Sequence, residues 1–170
     1  MPRTIALALV LVFAGALHAA AQPTVFVVRH AERADDGAGG NLMMASDPDL
    51  SESGRARAEL LASMLRSANV TTIVATPYKR TQQTAAPMAK ALGLEITTLG
   101  PRDTAKVPDL VRASKGNVLI VGHSNTVPDI LKALGVTEVV ALGDADYDNL
   151  FIVTPGSPPE LVRLHFRGSE

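Results

Sequence analysis

Three apolar runs in this chain end in the same way, and that repetition constrains the fold more than any other feature. Thr24-Val25-Phe26-Val27-Val28 leads into Arg29-His30-Ala31-Glu32-Arg33. Val70 to Ala75 leads into Thr76-Pro77-Tyr78-Lys79-Arg80, and Val118-Leu119-Ile120-Val121 leads into Gly122-His123-Ser124-Asn125-Thr126. Unbroken runs of strand formers mark strands buried on both faces. Helical patterning fills the intervals. Ser51 starts a helix with Ala58, Leu61, Ala62 and Leu65 on one face. Thr76 and Pro77 predict the cap and first turn of a second helix, which carries Pro87 inside it and stops at Gly93. Further helices are expected over 104–114 and 124–134, a strand over 94–99, and a closing hairpin from Leu150–Val153 and Leu161–Phe166. This alternation predicts an α/β fold with a mostly parallel sheet covered on both faces.

The first 21 of the 170 residues stand apart. Arg3 is followed by an apolar run from Ile5 to Leu17, then by Ala19-Ala20-Ala21. A short positive start, an apolar stretch of about 13 residues and a small-residue cleavage site make a secretory signal. A bilayer span needs roughly 20 apolar residues. Residues 1–21 are therefore expected to be a signal peptide, and residues 22–170 a single exported domain, periplasmic or secreted, without a membrane anchor after cleavage. Lys plus Arg (16) nearly balance Asp plus Glu (17), which argues against a nucleic-acid partner bound through a broad basic surface. The absence of cysteine excludes thiolate nucleophiles, Fe–S clusters and cysteine-based zinc sites.

Ligands of open α/β sheets bind beyond the carboxyl ends of the strands. If the three runs are parallel neighbours, two histidines and two or three arginines converge there. Such a pocket suits a phosphate: arginine forks match its oxygens, and Arg29 and Arg80 are placed to hold them. A neutral imidazole is a competent nucleophile for phosphorus. A second imidazole, if protonated, can donate to the transferring oxygens. Cationic side chains can neutralise the developing charge in place of a metal.

The motifs Val27-Val28-Arg29-His30-Ala31-Glu32, Leu50-Ser51-Glu52-Ser53-Gly54, Thr76-Pro77-Tyr78-Lys79-Arg80-Thr81-Gln82-Gln83-Thr84-Ala85 and Val121-Gly122-His123-Ser124-Asn125 together resemble those of the histidine phosphatase superfamily, also called phosphoglycerate mutase-like. They follow the family's order. The resemblance implies a three-layer α/β/α sandwich and a phosphatase that uses no metal or organic cofactor. It implies that His30 is the nucleophile, that Arg29 and Arg80 bind the phosphoryl group, and that His123 bonds its oxygens. The implied partner is a small phosphorylated substrate, with Asn125 as a further contact or a helix cap.

The proton donor departs from the family pattern. The acid-phosphatase branch carries Asp immediately after the second histidine, where this chain has Ser124. The mutase-like branch carries Glu after the third strand. That place falls at Thr104, one step from Asp103, so Asp103 is the first candidate acid. Glu32 is the alternative, followed by Asp35 and Asp36.

Other readings compete. A non-catalytic phosphate-binding protein of the same fold is the runner-up. A metallophosphoesterase would use His30, Glu32, Asp35 and His123 as ligands. Arg33 reads equally as a solvated loop residue, and His165 as exposed or structural. Asp144, Asp146 and Asp148 read as a capped turn, since the spacing of a calcium loop is missing. Met43-Met44 packs the loop or edges the substrate.

Overall fold

The computed structural model describes residues 22–35 and 47–167. The expected signal, together with Asp36, Met43 and Met44, lies outside the described residues. The strands are β1 Val25–Arg29, β2 Val70–Ala75, β3 Ile96–Thr98, β4 Asn117–Gly122, β5 Asn149–Thr154 and β6 Glu160–His165. The helices are α1 Glu52–Leu65, α2 Lys79–Leu92, α3 Val107–Ala113 and α4 Val127–Ala133. One six-stranded sheet has the order β3-β2-β4-β1-β5-β6. The first four strands in sequence are mutually parallel, and β5 and β6 form the antiparallel closing hairpin.

The apolar runs take the central places because both of their faces are covered. Phe26 and Val28 of β1 join Ile73, Leu119 and Val121 in a core with Leu61 and Leu65 of α1 and Met88 of α2. Val25 and Val27 alternate to the other face, where Ile120 and Phe151 pack with Val107, Ile130 and Leu131 of α3 and α4. The result is a three-layer α/β/α sandwich. Each fully buried Val, Leu or Ile contributes roughly 1.5–3 kcal/mol, so these two cores carry most of the stability.

Register then places the chemistry. Arg29 lies opposite Gly122 in the β1–β4 pair, and Val121 lies opposite Ala75 in the β4–β2 pair. The polar residues after the three strands therefore leave the sheet side by side. His30 N donates to Gly122 O at 2.9 Å, which continues the ladder by one residue.

α1 starts as expected: Ser51 Oγ accepts from Gly54 N at 3.0 Å. Gly54 has a second reason to be glycine, because a Cβ there would stand 2.2 Å from Glu32 O. Gly93 ends α2 in the left-handed conformation, with φ 66°. Other boundaries differ from expectation. α2 begins at Lys79, not at Thr76, because the Thr76 hydroxyl bonds Thr81 and His123 instead of capping a helix. Residues 123–126 form a turn in which Thr126 Oγ1 accepts from His123 N, so α4 starts only at Val127. The third helix splits into a single 3-10 turn, Thr104–Lys106, and α3. Among the described residues no helix is long and apolar enough to cross a membrane.

Candidate active site

Arg29 ends a buried strand and is itself only 6% exposed. Its Nη1 donates to Gly143 O at 2.7 Å and its Nη2 to the Tyr147 hydroxyl at 3.3 Å. Its guanidinium lies 4.1 Å from the Tyr147 ring centroid. Its Nε is buried and has no partner. These partners, among the described residues, are neutral; a buried cation so held is costly, and an incoming anion relieves that cost.

His30 follows at 3% exposure. Its Nδ1 stands 2.8 Å from Ala31 O. A carbonyl can only accept, so Nδ1 carries the proton and Nε2 keeps its lone pair. Burial lowers the His30 pKa to about 3, and Arg29, His123 and Arg80 push it the same way against the Ala31 bond. At neutral pH His30 is an uncharged base. Its ring lies 5.3 Å from that of His123, edge to face.

His123 Nε2 lies 2.8 Å from Thr76 Oγ1, which in turn lies 2.7 Å from Thr81 Oγ1. Thr81 donates to the Tyr78 and Thr76 carbonyls, so this buried hydroxyl chain is anchored to backbone. Burial, with Arg80 and Arg29, lowers the His123 pKa to about 4, and Asp47 opposes the shift. At neutral pH His123 is therefore uncharged, and a bound anion would favour its protonated form.

The segment after β2 delivers Arg80 from the first turn of α2. Its Nε is also buried without a partner, while its Nη1 meets Asp47 Oδ1 at 3.2 Å. The neighbouring motif residues have plain mechanical roles. Gln83 Oε1 accepts from Leu50 N at 2.8 Å. Thr84 Oγ1 accepts from Ala31 N at 3.0 Å and donates to Arg80 O. The helix is thereby tied to the turn that carries His30.

Arg29, His30, Arg80 and His123 line a cavity of about 230 Å³, walled further by Arg33, Tyr78, Pro101, Ser124, Asn125 and Asp144. Two other cavities, of about 230 and 500 Å³, lie against the start of β1 and between α1 and α2, and no histidine lines either.

Residues 25–102 match the histidine phosphatase superfamily, branch 1. That stretch is somewhat less than half of the 170-residue chain, and over it the chain is similar to this superfamily. The matched stretch carries Arg29, His30 and Arg80 of the cavity, and the β1–β4 register adds His123 from outside it. The chain is 40% identical over 72 residues to phosphoserine phosphatase 1 of Hydrogenobacter thermophilus, covering 42% of this chain and 34% of that protein. It thus spans about a third of the length of the curated relatives it matches. Its fold is similar to that of the protein histidine phosphatase SixA complexed with tungstate, with TM-score 0.66 and 16% identity over 84% of this chain and 96% of the other. It is likewise similar to mycobacterial glucosyl-3-phosphoglycerate phosphatase complexed with VO3, with TM-score 0.66 and 16% identity over 86% of this chain and 100% of the other.

Not every expected residue reaches this cavity. Glu32 turns away from it and accepts a bidentate pair from Arg57, Nη2 donating to Oε1 at 2.6 Å and Nε to Oε2 at 3.0 Å. Arg57 also donates to Phe166 O at 2.7 Å, so Glu32 belongs to a clamp between β1, α1 and the chain end. Asp103 pairs with Lys106 at 3.0 Å and does not line the cavity. Asp35 pairs with Arg33 at 3.1 Å. The four-residue metal set is therefore not assembled, and among the described residues no group of three or more His, Asp or Glu could hold an ion. Among the described residues, the acidic residue that does line the cavity is Asp144. It sits in a turn closed by Asp146 Oδ2, which accepts from Gly143 N at 2.8 Å. Sequence reasoning read this segment only as a capped turn. Its signal was position: it immediately precedes β5, whose antiparallel pairing with β1 brings it beside Arg29.

Proposed function

We propose that this protein hydrolyses small phosphate monoesters through a covalent phosphohistidine on His30. The observation that carries this reading is the pair of buried, partnerless Nε–H groups of Arg29 and Arg80 beside an uncharged histidine. They are two oriented donors that await an oxyanion. The tungstate and VO3 complexes of similarly folded phosphatases support a tetrahedral or trigonal oxyanion in such a pocket.

In the first step His30 Nε2 attacks phosphorus and the ester P–O bond breaks. Arg29, Arg80 and His123 hold the phosphoryl oxygens. The leaving oxygen takes a proton from the protonated carboxyl group of Asp144 on the cavity wall, which is left as a carboxylate. In the second step water attacks phosphorus, the P–Nε2 bond breaks, the water proton returns to Asp144 and inorganic phosphate leaves. The step balances without an external oxidant or reductant. The apolar segment 1–21 supports action outside the cytoplasm.

The test is incubation with a reactive ester such as p-nitrophenyl phosphate in excess chelator. Turnover with an acid-labile, base-stable phosphoryl label that disappears in His30→Ala is the expected result. A label and turnover that survive in His30→Ala overturn the mechanism. Tight vanadate binding without any turnover would instead favour a phosphate-binding protein.

A further inference from the structure

Asp47 stands just before α1 in sequence but acts on α2. One oxygen, Oδ2, accepts from the backbone N–H of Lys79 at 2.8 Å, and the other, Oδ1, meets Arg80 Nη1 at 3.2 Å. A single carboxylate thus bridges the first helical N–H and the side chain of the next residue. The segment around it is fastened to the same helix. Gln83 Nε2 donates to Asp49 Oδ1 at 2.7 Å, and Leu50 N donates to Gln83 Oε1 at 2.8 Å. Pro48 restricts the Asp47 backbone to extended conformations.

We propose that Asp47 is the positioning residue of the phosphoryl pocket: by holding Arg80 at Nη1, it presents the guanidinium's opposite, Nε-bearing edge to the substrate phosphoryl group. The inference rests on the phosphatase reading above. The buried Arg80 Nε has no hydrogen-bond partner among the described residues, so this nitrogen is left for a substrate oxygen. The Tyr78 ring, 4.6 Å from the guanidinium carbon, supports its face. Arg29 is held in the same manner at its distal nitrogens, but by a carbonyl and a phenol, which are neutral. Arg80 is steadied by an ion instead. It projects from a helix start and has no strand to fix it, so a charged partner is what limits its rotamers. The Asp47 side chain remains 34% exposed against 12% for Arg80, so the carboxylate sits at the outer side of the pair.

The alternative is that Asp47 merely caps α2. A double-mutant cycle separates the two roles. Asp47→Ala, Arg80→Ala and the double variant are compared with the unaltered protein for KM and kcat on p-nitrophenyl phosphate, for vanadate inhibition and for thermal midpoint. Asp47→Ala is expected to raise KM and the vanadate inhibition constant about tenfold, with a smaller change in kcat. In the Arg80→Ala background the same change should alter both constants less than about twofold. Asp47→Glu should restore part of the loss.

An equal loss in both backgrounds overturns the positioning role and leaves a cap. Tighter vanadate binding by Asp47→Ala also overturns it, because Asp47 would then be competing for Arg80. If Asp47→Ala does not fold, Asp47→Asn carries the same cycle, since it removes the charge and keeps the shape. Failure of the unaltered protein both to turn over the ester and to bind vanadate sinks the phosphatase reading itself, and this inference with it.

Discussion

His30 donates its Nδ1 proton to the carbonyl of Ala31, its own neighbour in the chain, at 2.8 Å. The bond is local, so it forms as soon as the turn after β1 forms. It fixes both the tautomer and the ring orientation, and a separate carboxylate is not needed to do so. Replacing His30 by Ala or Asn is expected to reduce kcat by on the order of a thousandfold or more, as for loss of a nucleophile. Vanadate binding, which depends on the arginines, should weaken far less. Steady-state assays and inhibition curves check both.

Stability should fall in acid. Both His30 and His123 have folded pKa values below the unfolded value, at about 3 and about 4. Between about pH 6.5 and these values the unfolded chain binds protons that the native chain does not, so the native state loses ground as pH falls. Each pKa unit is worth about 1.4 kcal/mol, and the loss from the pair is on the order of several kcal/mol. Urea unfolding at pH 7, 5 and 4 should show this decline, with a shallower slope in His123→Asn. A flat profile for the unaltered protein contradicts the burial of neutral imidazoles.

If Asp144 moves the proton, its loss should depend on the leaving group. Asp144→Asn is expected to slow hydrolysis of an alkyl phosphate by roughly a hundredfold, and of p-nitrophenyl phosphate by much less. Equal losses on both esters argue against proton transfer by this residue.

Glu32 should behave differently. Its carboxylate is engaged by Arg57, so Glu32→Ala leaves a half-buried guanidinium without its ion. A loss of roughly 1–3 kcal/mol of stability is expected, by chemical denaturation. The ratio of activities on alkyl and p-nitrophenyl phosphates should not move. A selective loss on the alkyl ester would restore Glu32 as a candidate acid.

The strand cores were legible because burial on both faces leaves an unmistakable apolar run, as in Val25–Val28 and Val118–Val121. The pocket floor was legible because each of these strands hands directly to a charged or imidazole residue. The helix starts were less so. Thr76 and Ser124 look like caps locally, but Thr76 is claimed by His123, and the turn after His123 is closed by Thr126. Tertiary contacts outrank local preference there. Asp47, Tyr147 and Asp144 were not singled out for the pocket because their importance comes from pairing across the sheet or onto α2, which no local spacing records.

Because β5 runs against β1, the chain approaches the pocket twice by different routes. The reactive floor is built where parallel strands finish, and one wall is built where an antiparallel strand has yet to begin. The turn bearing Asp144 touches the floor mainly through the Gly143 carbonyl and the Tyr147 ring and hydroxyl. Between those two anchor points stand Asp144, on the cavity wall, and Asp146, which closes the turn on Gly143 N. A designer who grafts a new loop onto this wall would therefore keep Gly143, Asp144 and Tyr147 and vary what surrounds them, because the same short turn both braces Arg29 and faces the cavity.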